Sequence, residues 1–450
     1  MKKLMFLLAA LLIAAGSSAQ APAVQTPTAQ TPEETSRQIV EKVYKELPVM
    51  SEALDYIVKN YVDEDKLKGD QIFHGAIKGM VGTLDQHTHF MEKEAFQELQ
   101  SETGGVFSGV GLELTVRNDI LTVVAPIEKG PAWQQGVKAG DRILKIDGVI
   151  TKSLTVDAAV KKIRGPKGEK VILAILHEGE DKPVDVEIIR DNIKIQSVQS
   201  YVIKENYGYI RLRNFIESSG RDIGAALAVM EKAKVKGVII DLRNNPGGLL
   251  DVSVDIADKF LPPDKMIVYT QGRISSSNRK YYSSQSEQFG ETVPLIVFVN
   301  RGSASASEIV TGSLKDNKRA VVMGTQSFGK ASVQSIFRLS DGSGLRLTTA
   351  YYYTPSGVKI HEKGITPDVI VEEKAPGDIT WKLRYYEYFI TYAKKYLGEN
   401  KTITAETVKV DDKMFDDFLK DVRAKSFVIT DLDIEKNRDF IKSFMKADII

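Results

Sequence analysis

Between residues 36 and 99 the apolar positions recur at helical spacing, as in IVEKVYKEL and SEALDYIVKNYV. From Gly104 glycines punctuate the chain and the period shortens to two, as in VFSGVGLELTVRNDILTVVAPI. TVDAAVKKIRG then sets Val156, Val160 and Ile163 on one helical face, and KVILAIL and DVEIIR add two strands. Residues 104–192 are therefore expected to form a compact β-rich module. From 193 to 374 buried-strand runs alternate with helical stretches, the pattern of a largely parallel sheet with crossovers. KGVIIDLRNN stops at Pro246–Gly248, PLIVFVN stops at RGSASAS, and RAVVMG runs into TQSFGKASVQ. Three strands thus end in Gly- or Ser-rich loops, and sites in open α/β sheets form beside strand carboxyl ends. Residues 375–450 are mostly helical in pattern. There Trp381, Tyr385, Tyr388, Tyr392 and Tyr396 recur at spacings of three and four, read as the buried face of a docking helix.

Length and composition add an address. A chain of 450 residues holds several cores. A formal charge of +1 exerts no overall pull on nucleic acid or on anionic membranes. Residues 1–21 read as a signal peptide: Lys2 and Lys3 precede the apolar Leu4–Ala15, and small residues follow, with exits after Ala19 or Ala21. The alternative is an uncleaved N-terminal anchor. Residues 22–35, rich in Pro, Thr, Gln and Ala, read as a linker, and 36–103 as an N-terminal helical region. The expectation is an exported protein of the periplasm or cell envelope, membrane-associated if the segment is retained. Zero cysteines exclude disulfides, thiolate metal sites and a cysteine nucleophile.

The candidate chemistry lies in NRGSASASEIVTGSLKDN, where Ser303, Ser305 and Ser307 stand at the mouth of a helix. A serine hydroxyl needs a base. His74, His87, His89 and His177 precede the α/β region, which leaves His361 as the histidine within it. Lysine can serve if burial lowers its pKa from about 10.4 toward 7–8, roughly 4 kcal/mol of differential stabilisation. Lys330 suits that role, with Gly329, Ala331, Phe328 and Val333 around it and no acidic residue between Asp316 and Asp341. Gln334 shares its face in strand geometry and could orient the amine. Ser305 opens a helix whose apolar face is Ala306, Ile309, Val310 and Leu314, so the Ala306 amide is placed to stabilise an oxyanion. The second donor would be Gly247 or Gly248. Ser303 and Ser307 read as cap and packing residues, and Glu308 as a structural acid in the first turn.

With these residues assembled, the chain resembles the carboxyl-terminal processing peptidases, or tail-specific proteases, a serine endopeptidase family with a Ser-Lys dyad. LDQHTHFM, DLRNNPGG, GSASASEI, GTQSFGKASVQ and KGITPDVIV occur in the family's order over roughly 36–371. SGVGLEL and AGDRILKIDG make 104–192 resemble a PDZ domain. The resemblance implies a multidomain α/β fold. Its protease core (193–374) would be crotonase/ClpP-like, with an inserted PDZ domain and helical N- and C-terminal regions. It implies Ser305 as nucleophile, Lys330 as base and Gln334 as the residue holding that lysine. Gly109, Val110, Gly111 and Leu112 would bind a substrate's apolar C-terminus, and Arg164 would couple the module to the core, its alternative being a surface cation. Partners would be protein or peptide tails, an activating or adaptor protein, and further copies of the chain. The chemistry calls for no metal or other cofactor. Gln86 stands where the family has proline, and Ala331 where glycine is common, which questions the local backbone. The rival readings are a silent scaffold that keeps the fold, and a serine hydrolase with a His361-based triad.

Overall fold

The computed structural model describes residues 32–449 apart from positions 118, 153, 178, 204–205, 285–288, 291, 373–375 and 401–407. The signal segment and most of the linker fall outside the described residues, and the linker's last four positions are the first turn of helix α1 (Pro32–Asn60). Two compact units emerge: one runs to Phe96 and includes Thr270–Arg279 and Val333–Tyr351, and the other holds Gln97–Tyr269, Lys280–Ser332 and the chain from Tyr352 onward.

In the first unit, α1 is followed by α2 (Gly69–Gly82) and strand β1 (His89–Met91). Helix α1 keeps apolar side chains in solvent, Ile39, Val43, Tyr44, Leu47 and Tyr56 among them. Asp85, in the LDQHTHFM motif, folds its own turn by accepting from the His87 and Thr88 amides at 2.7 and 2.9 Å.

The second unit opens with the end of α3 (Lys93–Gly104) and the β-rich module. Strands β2 (Val106–Gly109), β3 (Leu112–Arg117), β4 (Ile120–Pro126), the short α4 (Pro131–Gln134), β5 (Arg142–Ile146), β6 (Val149–Ile150), α5 (Val156–Ile163), β7 (Lys170–Leu176), β8 (Val184–Ile189) and β9 (Asp191–Lys194) follow. One antiparallel sheet runs β3-β4-β5-β7-β8, with β6 on β5. Strands β2 and β9 pair with each other, closing the module where the chain enters and leaves it. Alternation puts Leu121, Val123, Ile143, Ile146, Leu173, Ile175 and Ile188 inside, at most 1% exposed. Helix α5 is capped by the Thr155 hydroxyl, which accepts from the Ala158 amide.

In chain order there follow β10 (Val198–Ile203), β11 (Tyr207–Leu212), α6 (Ser219–Lys232), β12 (Val238–Asp241), α7 (Leu250–Asp258), β13 (Met266–Gly272), β14 (Lys280–Tyr282), β15 (Leu295–Val299), α8 (Ala306–Asp316), β16 (Ala320–Gly324), β17 (Ser332–Arg338), β18 (Gly344–Tyr353) and β19 (Val369–Ile370), of which β17 and β18 belong almost wholly to the first unit. The main sheet runs β10-β11-β12-β15-β16-β19. The β10–β11 pairing is antiparallel and the other four are parallel. The expectation of a largely parallel core thus describes this sheet and not the rest: β13 pairs with β14, and β1 with β18, in antiparallel sense. For β13 and β14 the reason is a connection of residues 273–279 alone, too short for a crossover. Only a turn, Leu339–Ser343, separates β17 from β18, too short for a crossover. Parallel β12, β15 and β16 are neighbours in register, Asp241 opposite Phe298 and Val299 opposite Gly324, so their three Gly- and Ser-rich loops emerge side by side.

The C-terminal helices are α9 (Asp378–Tyr385), α10 (Tyr388–Glu399), α11 (Asp412–Ala424) and α12 (Asp431–Ile449). They share a core of their own around Phe389, Phe415, Phe418, Ile441 and Met445. The aromatic stripe is not one buried face. Glu387, at φ +59°, breaks it between two helices: Tyr392 is buried, whereas Trp381 and Tyr385 are 52% and 69% exposed.

Candidate active site

The loop after β12 and the loop after β15 are stitched together through Asn245. Its Nδ2 donates to Leu212 O, its Oδ1 accepts from the Gly247 amide, and its carbonyl accepts from the Ala304 amide and the Ser307 hydroxyl. Ser303 is not the helix cap. It is fully buried, donates to Leu242 O and accepts from the Asn300 amide, so it pins the start of the serine loop to the neighbouring strand.

The N-cap of α8 is Ser305, half-buried, at φ +56° and ψ −115°. A side chain with a Cβ rarely adopts that conformation, which costs of order 1–3 kcal/mol and persists only where the surroundings impose it. Ala306 follows as the first helical residue, its amide among those without an intrahelical acceptor. Gly247 abuts Ser305 closely: a Cβ on it would lie 2.8 Å from the Ser305 Cβ and 3.0 Å from the Ala306 nitrogen. Its amide is already donated to Asn245, whereas Gly248 is exposed at φ +147°.

The loop after β16 brings in Lys330, and Glu308 holds it there. Expected only as a first-turn acid, Glu308 is 0% exposed and accepts four hydrogen bonds. Oε1 takes the Ser327 hydroxyl at 2.6 Å and the Gly329 amide at 2.7 Å; Oε2 takes the amides of Lys330 and Ser305, each at 2.9 Å. The amide nitrogens of Ser305 and Lys330 therefore lie within twice that distance of each other. Successive N–H groups at 329 and 330 form an anion-binding nest, opened by Gly329 at φ +92°. Burial pushes the Glu308 carboxyl above its ordinary value, and its donors offset this only in part. Ala331 is buried and lies outside the left-handed region, so this backbone has no need of glycine there.

Tyr352 bears on the same two residues. Its hydroxyl shares its one proton between Ser305 O, at 3.0 Å, and Lys330 O, and its amide donates to Ala331 O. Burial, then the Glu308 charge, raise its pKa far above the usual range, so it stays a donor. The sequence analysis passed over it. Strand alternation in AYYYT marks it, since Tyr351 and Tyr353 are half-exposed and Tyr352 is 1% exposed.

Gln334 lies on β17, in the first unit, its Oε1 accepting from Arg346 at 2.9 Å. His361 is half-buried, next to Glu362, whose amide donates to Gly329 O. Gly109 pairs with Asp191, Val110 and Gly111 are buried with Gly111 at φ +75°, and Leu112 begins β3. Arg164 caps α5; its guanidinium donates to Glu98, lies 4.0 Å from Glu102 and stacks 4.9 Å over the Phe107 ring. Asp241, fully buried where β12 ends, accepts from Tyr209, Arg211 and Arg243; burial opposes its ionisation, but these bonds outweigh it and its pKa falls.

The chain is similar to known proteins. Residues 206–371 match Peptidase family S41 and 122–176 match the PDZ domain. A carboxy-terminal-processing protease of Bartonella bacilliformis is 42% identical over 343 residues, covering 75% of this chain and 77% of its own. The carboxy-terminal processing protease CtpA of Bacillus subtilis is 32% identical over 361 residues, covering 80% and 75%. Among solved structures, a photosystem II D1 C-terminal processing protease is 30% identical over 73% of this chain and 93% of its own, at a TM-score of 0.44. With a PDZ domain inserted ahead of a core that carries a serine at a helix mouth, the chain belongs to the carboxyl-terminal processing proteases and is a serine-type peptidase of family S41.

Proposed function

We propose that this peptidase cuts protein chains at or near their C-terminal tails with Ser305 as nucleophile and Lys330 as general base. The observation that carries the reading is Glu308, whose single Oε2 receives the amides of both residues. Ser305 Oγ attacks the scissile carbonyl as its proton passes to the Lys330 amine. The same proton then goes to the leaving amine, and water deacylates the enzyme by the reverse path. The Ala306 amide and the Gly248 amide take the oxyanion, Gly247 being committed to Asn245. Gln334 is the residue that the family resemblance assigns to orienting the lysine, and the Arg346 bond to its Oε1 fixes its carboxamide.

The PDZ domain captures an apolar C-terminus at Gly109–Leu112, and the tail adds as a strand to β3, the terminal strand of its sheet. Arg164 relays that occupancy, its bond to Glu98 being one position of the switch. The core is of the crotonase/ClpP type, as its parallel strands with helices α6–α8 suggest. The protein is exported through its N-terminal segment to the periplasm or cell envelope. Helix α1, with its exposed apolar side chains, is the surface for a second copy or an adaptor.

The test compares Ser305→Ala, Lys330→Ala and His361→Ala on an unstructured substrate with an apolar C-terminus, reading the fragments by mass spectrometry. The first two variants are expected to lose cleavage and the third to retain it. Cleavage surviving in Lys330→Ala, or lost in His361→Ala, refutes the dyad.

A further inference from the structure

Each of the two proposed catalytic residues is held at both of its backbone groups, and the same two side chains do the holding. Glu308 accepts the N–H of Ser305 and the N–H of Lys330. Tyr352 donates to the C=O of Ser305 and the C=O of Lys330. We infer that Tyr352 is a positioning residue of the reaction, its hydroxyl fixing the peptide planes that carry nucleophile and base. The inference rests on the dyad reading and adds to it a residue that touches no reacting atom.

Ser305 O also accepts from the Glu308 and Ile309 amides at 2.8 and 3.0 Å, so the helix retains it without the tyrosine. Lys330 O accepts from the same hydroxyl, across the lysine Cα from the Glu308 bond. With both anchors the lysine side chain leaves a fixed point in a fixed direction. Loss of the hydroxyl removes one restraint on the peptide between Lys330 and Ala331, and through it on the four-carbon stem that carries the amine. Tyr352 is itself rigid, since its amide bonds Ala331 O at 2.9 Å and its ring is buried. Misplacement of a catalytic group by about 1 Å costs on the order of 100-fold in rate.

The experiment is Tyr352→Phe, which keeps the ring and removes the hydroxyl. Tyr392→Phe is the control: its buried hydroxyl likewise donates to a carbonyl, Met414 O at 3.2 Å, among the C-terminal helices. For each variant kcat and KM are measured on an unstructured tail peptide, per active site titrated, with the rate of Ser305 labelling by a fluorophosphonate. Tyr352→Phe is expected to lose about 10- to 100-fold in kcat with KM within about twofold. Labelling should slow by a similar factor. Tyr392→Phe should lower Tm comparably and leave kcat within twofold. A kcat for Tyr352→Phe within twofold of the parent, a loss confined to KM, or a variant that does not fold overturns the proposal. Ser305→Ala and Lys330→Ala run alongside: if either retains activity the dyad reading itself fails, whereas an essential dyad with an unaffected Tyr352→Phe sinks only this inference.

Discussion

Replacing Glu308 by glutamine and by alanine separates what its carboxylate does for stability from what it does for the site. A glutamine has one acceptor oxygen where the carboxylate has two. Placed at Oε2, that oxygen keeps the Ser305 and Lys330 amides, while the new NH2 group faces the Ser327 hydroxyl, which can accept, and the Gly329 amide, which cannot. One buried N–H is then orphaned, at about 1–3 kcal/mol, and the remaining bonds lose their charge assistance. Relief of a buried charge returns part of this, leaving a deficit of about 2–3 kcal/mol. For a core of this size that lowers Tm by roughly 4–12 °C in calorimetry. Because the Ser305 and Lys330 amides stay tied, the proposed dyad predicts that kcat of Glu308→Gln falls less than about 10-fold. Glu308→Ala frees both amides, and kcat should fall on the order of 100-fold or more. The pH sense follows from the raised carboxyl. Its folded-state pKa lies above the ordinary 4.5, so its contribution to stability is fully present below 4.5 and is lost as pH rises through the folded value. The deficit of Glu308→Gln should therefore be larger in acid than at neutral pH. Alanine leaving kcat within threefold of the parent, or a deficit that shrinks in acid, would refute the reasoning.

Other outcomes follow from single contacts. Gly248→Ala would set a Cβ 2.2 Å from Phe215 O at φ +147°, and should cost about 2–4 kcal/mol in denaturant unfolding along with most of the activity. Asp241 has a lowered carboxyl, so its contribution is full above the ordinary 3.8 and is lost as pH falls through its depressed value. Acid titration of Asp241→Asn against the parent should show a deficit at neutral pH that closes below 3.8. Arg164→Ala removes the bond to Glu98 and the stacking on Phe107, and should change the dependence of kcat on an added apolar C-terminal peptide while sparing labelling of Ser305.

The elements that carry the candidate site were legible because their patterns are local. Continuous apolar strands ending in DLRNNPGG, RGSASAS and TQSFGK announced themselves, and the parallel neighbours β12, β15 and β16 brought those loops together. The mixed character of the remaining sheets was less legible, since pairing partners such as β1 and β18 stand more than two hundred residues apart in sequence. Glu308 looked like a helix-dipole acid because first-turn acids usually are. Its work depends on a loop some twenty residues later that folds back onto it. Tyr352 was hidden among three tyrosines, and only the face of the strand tells them apart. The aromatic stripe misled because periodicity does not reveal the left-handed residue, Glu387, that divides it.

The backbone at Ser305 has a consequence for evolution under heat. In helices and strands alanine outlasts glycine, yet at this position the order should reverse: Ser305→Gly can relax into its φ, while Ser305→Ala inherits the distortion. The glycine variant should melt above the alanine variant. Selection for thermal endurance alone would then favour glycine here, and the serine would persist only under the demand for turnover that its proposed role implies.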